Sequence, residues 1–396
     1  KPSIAVLPFA NMSGDPEQAY FADGITEDLI TGISCLPGLF VISRNSSFTY
    51  KGKPAKLIDV GRALGVRYIL EGSVRTAGGR VRITAQLVDA EPDRHLWAER
   101  YDRPLEDIFA VQDDVTREII GALEVNLGER DEGALTKPVT DNLEAYDCFL
   151  RGISYLARTS KENHQKAREM LKQAISHDQN LAHAYSLLAL SRIFDWIWQW
   201  TNDPGELQKA FAEAQQAVAL DKSISTPHAV LGLAYTFGRE YDKGLAEAKK
   251  AVALNPNDAD AQAALGSVYT LLCQPEAAIP AAERALRLDP HSPTSVTRNY
   301  LTLGNAYRMT GQLDEAARTF QAALKLNPDF MAAHILLTTV YVDQGRRADA
   351  RREVSEILRI NPDFSLTRAP AHSPPYRDPA VRSHVLESLR KAGLRE

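Results

Sequence analysis

The chain has 396 residues, with 46 Lys plus Arg, 51 Asp plus Glu and three cysteines. At roughly 100–200 residues per domain, that length predicts two or three domains. Charged residues at 24% and hydrophobic ones at 44% exclude wholesale disorder and collagen-like sequence, and a net charge of -5 offers no basic field for nucleic acid.

The first 127 residues mix two periodicities. Ser3 to Phe9 is a short apolar run that reads as a buried strand, and Asn11 to Pro16 is turn chemistry. Tyr20 to Leu36 carries Phe21, Ile25, Leu29, Ile30 and Ile33 at helical spacing. Leu39 to Ser43 reads as a strand, and Lys56 to Leu64 as a helix closed by Gly65. Val66 to Arg75 and Arg80 to Asp89 flank Thr76-Ala77-Gly78-Gly79, a hairpin signal. Val81, Ile83, Ala85 and Leu87 alternate with Arg82, Thr84 and Gln86, so one face is buried. His95 to Asp102 is a further strand, and Leu105 to Leu123 an amphipathic helix. This order predicts an α/β domain with a mixed sheet over 1–127. The polar stretch 128–141 is the expected linker.

Everything after it is helical, with a period. Asn255-Pro256, Asp289-Pro290, Asn327-Pro328 and Asn361-Pro362 stand 34, 38 and 34 residues apart. Between them Leu231, Gly232, Tyr235 and Ala248 recur as Leu265, Gly266, Tyr269 and Ala282, then as Leu303, Gly304, Tyr307 and Phe320. The segments resemble the tetratricopeptide repeat, a pair of helices that must stack on copies of itself to bury its apolar face. Small residues let helix A approach helix B, and the Asn/Asp-Pro pair stops helix B. Two weaker units precede these, holding Gly152, Tyr155 and Ala167, then Tyr185, Leu188 and Ala210. Six units are expected over 142–364, followed by a capping segment, 365–396, with a helix from Pro379 to Ala392. The fold class is therefore an α/β mixed-sheet domain followed by an all-α repeat solenoid.

Catalytic signatures are lacking. The sequence holds no Walker phosphate loop, dinucleotide fingerprint, G-x-S-x-G or H-E-x-x-H, and its nine histidines are scattered. Asp113-Asp114 reads as a solvated helix face, and Asp89, Glu91 and Asp93 as a turn. Phe194, Trp196, Trp198 and Trp200 read as an extension folding back on its neighbours, with a partner patch as the alternative. Neither a cofactor nor a metal is expected. Cys35, Cys148 and Cys273 are too far apart for a disulfide framework or zinc spacing, which suits a reducing cytoplasm. The most apolar stretch, Leu187 to Trp200, is broken by Ser191, Arg192 and Asp195, so no membrane span is expected. The chain begins at Lys1 without Met and reads as a piece of a longer protein or a processed form.

The repeat resemblance implies a concave groove lined by fixed helix-A positions. These fall on Asp260, Ala263, Ser267, Thr270 and Leu271 in the fourth unit, and on Arg298, Leu301, Asn305, Arg308 and Met309 in the fifth. In the sixth they are Ala332, Ile335, Thr339, Val342 and Asp343. The polar members, Asp260, Ser267, Thr270, Arg298, Asn305, Arg308, Thr339 and Asp343, are the candidate partner-binding residues. Arg308 is suited to a two-pronged bond with a carboxylate.

Ser3 to Ser13, Tyr20 to Leu29, Ser43 to Phe48, Leu70 to Arg75 and Leu96 to Asp102 together resemble the TolB-amino-terminal-like (FlgO-like) domain. In many proteobacterial regulators that domain precedes tetratricopeptide repeats and often follows a class III adenylate/guanylate cyclase domain. The resemblance implies a non-catalytic, cytoplasmic regulatory region that binds a protein or peptide partner and is joined to a cyclase. Direct nucleic-acid or membrane binding is not implied, and a homodimer is left open. Two alternatives stand beside it: the same module on a winged-helix transcription regulator, and an α/β domain that binds a small ligand.

Overall fold

Ser3–Val6 (β1) lies near the centre of a mixed sheet, with Ile4, Ala5 and Val6 fully buried. A short apolar run buried on both faces is what a parallel pairing requires. The computed structural model describes residues 2–36, 38–91, 94–123, 139–157, 160–197, 200, 201, 203, 205–367 and 374–395. Most of the expected linker, and Asp93 and Trp198, lie outside these.

Further strands are Ala10–Asn11 (β2), Phe40–Val41 (β3), Tyr68–Ala77 (β4), Arg80–Asp89 (β5) and Arg94–Pro104 (β6). The sheet order is β3-β1-β4-β5-β6, parallel about β1 and antiparallel from β4 onward, with β2 on β4. Gly78 and Gly79 both take positive φ (55° and 72°), the geometry that matches a two-residue turn to strand twist.

Helix Ala19–Ser34 (α1) and helix Ile108–Ala122 (α4) share one core with Val6, Val74, Ile83 and Leu87. Helix Leu57–Leu64 (α3) shares another with Ala5, Ile42 and Ile69. The short helix Arg44–Phe48 (α2), capped by the Ser43 side chain on the Ser46 amide, was not expected. Five residues are too few to display a helical period.

Six helix pairs follow: Leu143–Leu156 and Lys161–His177 (α5, α6), Ala182–Ile197 and Glu206–Leu220 (α7, α8), Ser225–Phe237 and Tyr241–Leu254 (α9, α10). Then come Ala259–Leu271 and Pro275–Leu288 (α11, α12), Pro293–Met309 and Leu313–Leu326 (α13, α14), Met331–Asp343 and Arg347–Ile360 (α15, α16). Asn255, Asp289, Asn327 and Asn361 cap helix B with φ between -132° and -140°, the extended backbone demanded before proline. A Cβ at Gly232 would sit 3.0 Å from the Ala248 amide nitrogen, so the close approach of α9 and α10 needs that glycine.

The 38-residue step has a clear origin. The α13 helix has 17 residues where α9, α11 and α15 have 13, an added turn. The closing helix, Pro379–Lys391 (α17), packs on α15, with Leu389 and Leu394 in the core of the last unit.

Candidate functional site

The expected groove residues fall into three groups. Ser267, Thr270 and Thr339 turn their hydroxyls onto carbonyls of their own helices, those of Ala263, Gly266 and Ile335. Asp260 and Arg298 form an ion pair at 2.6 Å across units four and five, and Arg298 also stacks over Phe194. Asp343 pairs with His384 of α17 at 3.0 Å.

Asn305 and Arg308 behave differently, because a stretch of the chain itself lies against them. Asn305 Nδ2 donates to the Tyr376 hydroxyl at 2.9 Å, and Arg308 Nε and Nη2 donate to Asn305 Oδ1 at 3.1 and 2.9 Å. Tyr376 is buried, which pushes its phenol up, while Arg308 and Asn305 pull it back. Around the ring the backbone is held as a peptide would be. The Tyr241 hydroxyl donates to the carbonyls of Pro375 (3.2 Å) and Tyr376 (3.3 Å). The Arg377 amide donates to the Leu271 carbonyl at 2.7 Å, which ties the segment to the end of α11. Arg377 reaches Asp242 at 3.0 Å and stacks over Tyr241. Residues 374–377 thus cross units three, four and five. The sequence reading missed Tyr376, Tyr241 and Asp242. The only available signal was Pro374-Pro375 before an aromatic residue, a stiff extended dipeptide followed by an anchor.

A second internal interface joins the α/β domain to the repeats. Asn257 Nδ2 donates to the carbonyls of Ser34 (3.0 Å), Leu39 (2.9 Å) and Leu36 (3.4 Å), and Asn255 Nδ2 to the Ser34 hydroxyl at 2.7 Å. Arg284 and Arg287 lie over the Phe40 ring. One step along, Asp289 accepts from the Ser46 hydroxyl at 2.6 Å, and the His291 amide donates to the same hydroxyl at 2.8 Å. Side chains and backbone at the helix-stopping turns therefore also hold α1, β3 and α2.

Nearer the first unit, Asp28 of α1, Gln112 of α4 and Tyr146 of α5 form a buried polar knot. Gln112 Nε2 donates to Asp28 (2.9 Å) and to the Tyr146 hydroxyl (3.0 Å), and Tyr146 donates to Asp28. Burial raises the Asp28 carboxyl to about 7, with the Tyr146 bond opposing and the Glu27 charge adding.

The remaining candidates pack structurally. Asp89 is held by Arg67 Nε and Nη2 at 3.0 and 2.7 Å. Asp114 pairs with Arg117 at 3.1 Å. Trp200 meets His164 edge-on with centroids 5.2 Å apart, and Trp196 meets Phe237 at 5.3 Å. Ser191, His164 and Asp195 adjoin, but both partners approach the same His164 Nδ1, so the ring cannot relay a proton between them. Among the described residues no group of three His, Cys, Asp or Glu is placed to hold a metal ion. No helix among them is long and apolar enough to cross a membrane.

Two tetratricopeptide-repeat family models match the chain, at residues 230–293 and 307–369. These regions are tetratricopeptide repeats. A Rhizobium meliloti (strain 1021) protein named "Putative adenylate cyclase 3" is 50% identical over 243 residues, covering 61% of this chain. The chain spans 41% of the length of that relative. Similar solved structures include the APC/C hetero-tetramer Cut9-Hcn1, at 18% identity and TM-score 0.49 over 72% of this chain and 52% of that one. Another is YrrB, described as a TPR protein with an unusual peptide-binding site, at 26% identity and TM-score 0.34 over 50% of this chain and 95% of that one.

Proposed function

We propose that this chain is the non-catalytic regulatory region of a bacterial adenylate/guanylate cyclase-like protein, and that its repeats bind a peptide or partner domain. One observation carries the reading: helices of units three to five already hold a short stretch of the chain's own polypeptide through side chains and backbone. The name of the Rhizobium relative supports a cyclase parent over a winged-helix one. The motifs of the first domain, and their mixed sheet, support the TolB-amino-terminal-like assignment. A cytoplasmic setting belongs to the same proposal, and no disulfide joins Cys35, Cys148 and Cys273.

The eight polar groove residues are the proposed contacts. Asn305 and Arg308 are the best placed, because their polar atoms meet at one point inside the groove. Signal would pass through the Asn257 and Asp289 contacts, which tie the groove-bearing units to the α/β domain. Cyclase output of the full-length parent tests this, with and without residues 142–364. Loss of the partner-dependent change is expected. Equal basal and stimulated output in both forms would sink the reading.

A further inference from the structure

The groove segment raises a question of charge. Arg308 is 8% exposed, yet its partners among the described residues are Asn305 and the Tyr376 phenol. No carboxylate among those residues pairs with it. A guanidinium taken out of water is normally matched by an anion, since an uncompensated buried charge is costly. Tyr376 satisfies the shape of the site and only part of its electrostatics.

The segment also has the form of a ligand rather than of an element. Pro374 and Pro375 fix two φ angles, and the Tyr376 amide closes a tight turn onto the Pro374 carbonyl at 2.9 Å, so little conformational entropy is lost when the segment is held. Pro375 and Tyr376 are buried, with the Tyr376 ring as the anchor. The next, Arg377, stays at the rim with Asp242. Chain continues on both sides of the anchor, so the groove accepts an internal segment and does not require a terminus.

We propose that Pro374–Arg377 is a built-in ligand of this groove, and that the partner displacing it is a segment of another protein carrying a glutamate side chain at the Tyr376 position. This deepens the peptide-binding reading above and rests on it. A tethered ligand competes at a high effective concentration, so a partner must offer something the tether lacks. A carboxylate does so, because it can accept two parallel bonds from Arg308. The groove is then closed by default and opened by an acidic partner.

The test uses the 396-residue chain and two fluorescein-labelled peptides in fluorescence anisotropy. One copies residues 374–380, Pro-Pro-Tyr-Arg-Asp-Pro-Ala, and the other carries Glu in place of Tyr. Tyr376→Ala should raise affinity for both peptides about tenfold over the unaltered chain, with the Glu peptide ahead. Adding Arg308→Gln should erase that lead while the Tyr peptide still binds. Arg377→Ala, at an exposed side chain, should give a smaller gain of the same sign without threatening the fold. Circular dichroism melts establish that each variant is folded. Folded Tyr376→Ala and Arg377→Ala chains that gain no binding would overturn the built-in ligand. A Glu lead that survives Arg308→Gln would overturn the charge argument. Tighter binding of a peptide ending at that Glu would overturn the internal-segment assignment. None of these readouts involves cyclase output, so this proposal and the regulatory one can fail separately.

Discussion

Asp28 shows how one buried residue makes the junction sensitive to pH. Its carboxyl rises to about 7 in the folded chain, against about 3.9 in an unfolded one. Between those values the folded chain keeps a proton that the unfolded chain has lost. Stability is therefore greatest on the acid side, falls as pH rises toward 7, and levels off above it. From pH 5 to pH 8 the loss from this group is about 2–3 kcal/mol. Asp28→Asn should flatten that slope in urea melts at the two pH values, and equal slopes in both proteins would refute the assignment. His334 acts in the same sense. Burial pulls its imidazole down, but the Glu353 bond and the Pro328 carbonyl outweigh that and hold it above the usual value. Its contribution is full below the ordinary histidine range and is lost as pH rises through the raised value.

At the scale of the element, the turn between helices A and B repeats with one conformation. Arg239, Cys273, Gly311 and Gly345 occupy equivalent positions in units three to six, with φ of 65°, 58°, 75° and 73°. Glycine accepts the left-handed region without cost, whereas a side chain there costs about 1–2 kcal/mol. Part of that returns as unfolded-state entropy. Cys273→Gly should therefore stabilise the chain by about 0.5–1 kcal/mol, seen as a higher Tm in calorimetry. A lower Tm would mean that the thiol contributes packing that outweighs the strain.

At the scale of the whole molecule, the α/β domain and the solenoid share one folded body through a few turns. Asn257 alone binds three carbonyls of the α1–β3 connection. Asn257→Ala removes the side-chain donor to the Ser34 and Leu39 carbonyls, while the Leu36 carbonyl keeps the Leu39 amide, and this costs about 2–4 kcal/mol. It should also separate the unfolding of sheet and repeats in chemical denaturation followed by two probes. A single unchanged transition would show that the contact is dispensable. Glu27, Arg44, Asp260 and Arg298 lie beside one another at this junction, so occupancy of the groove and docking of α1 share charges.

How much of this was legible in the sequence follows from the range of each interaction. Alternation along Val81 to Leu87, the Gly78-Gly79 turn and the 34-residue register are local, and they specified the strands, the hairpin and the helix pairs. The four extra residues before Asn305 were visible as a 38-residue step, but their place as one added turn was not. Asn255 and Asp289 read as helix stops because that role depends on neighbours in the chain. Their second role depends on partners more than 200 residues away. Arg308 was an expected groove residue by the repeat resemblance. That Tyr376 lies against it was decided only by the path of the chain after the last unit, since no local pattern encodes where a short segment comes to rest. The sequence by itself therefore determined the two architectures. Only the tertiary structure decided that the chain's own segment lies against Asn305, because that contact joins residues 71 apart through side chains with no shared period.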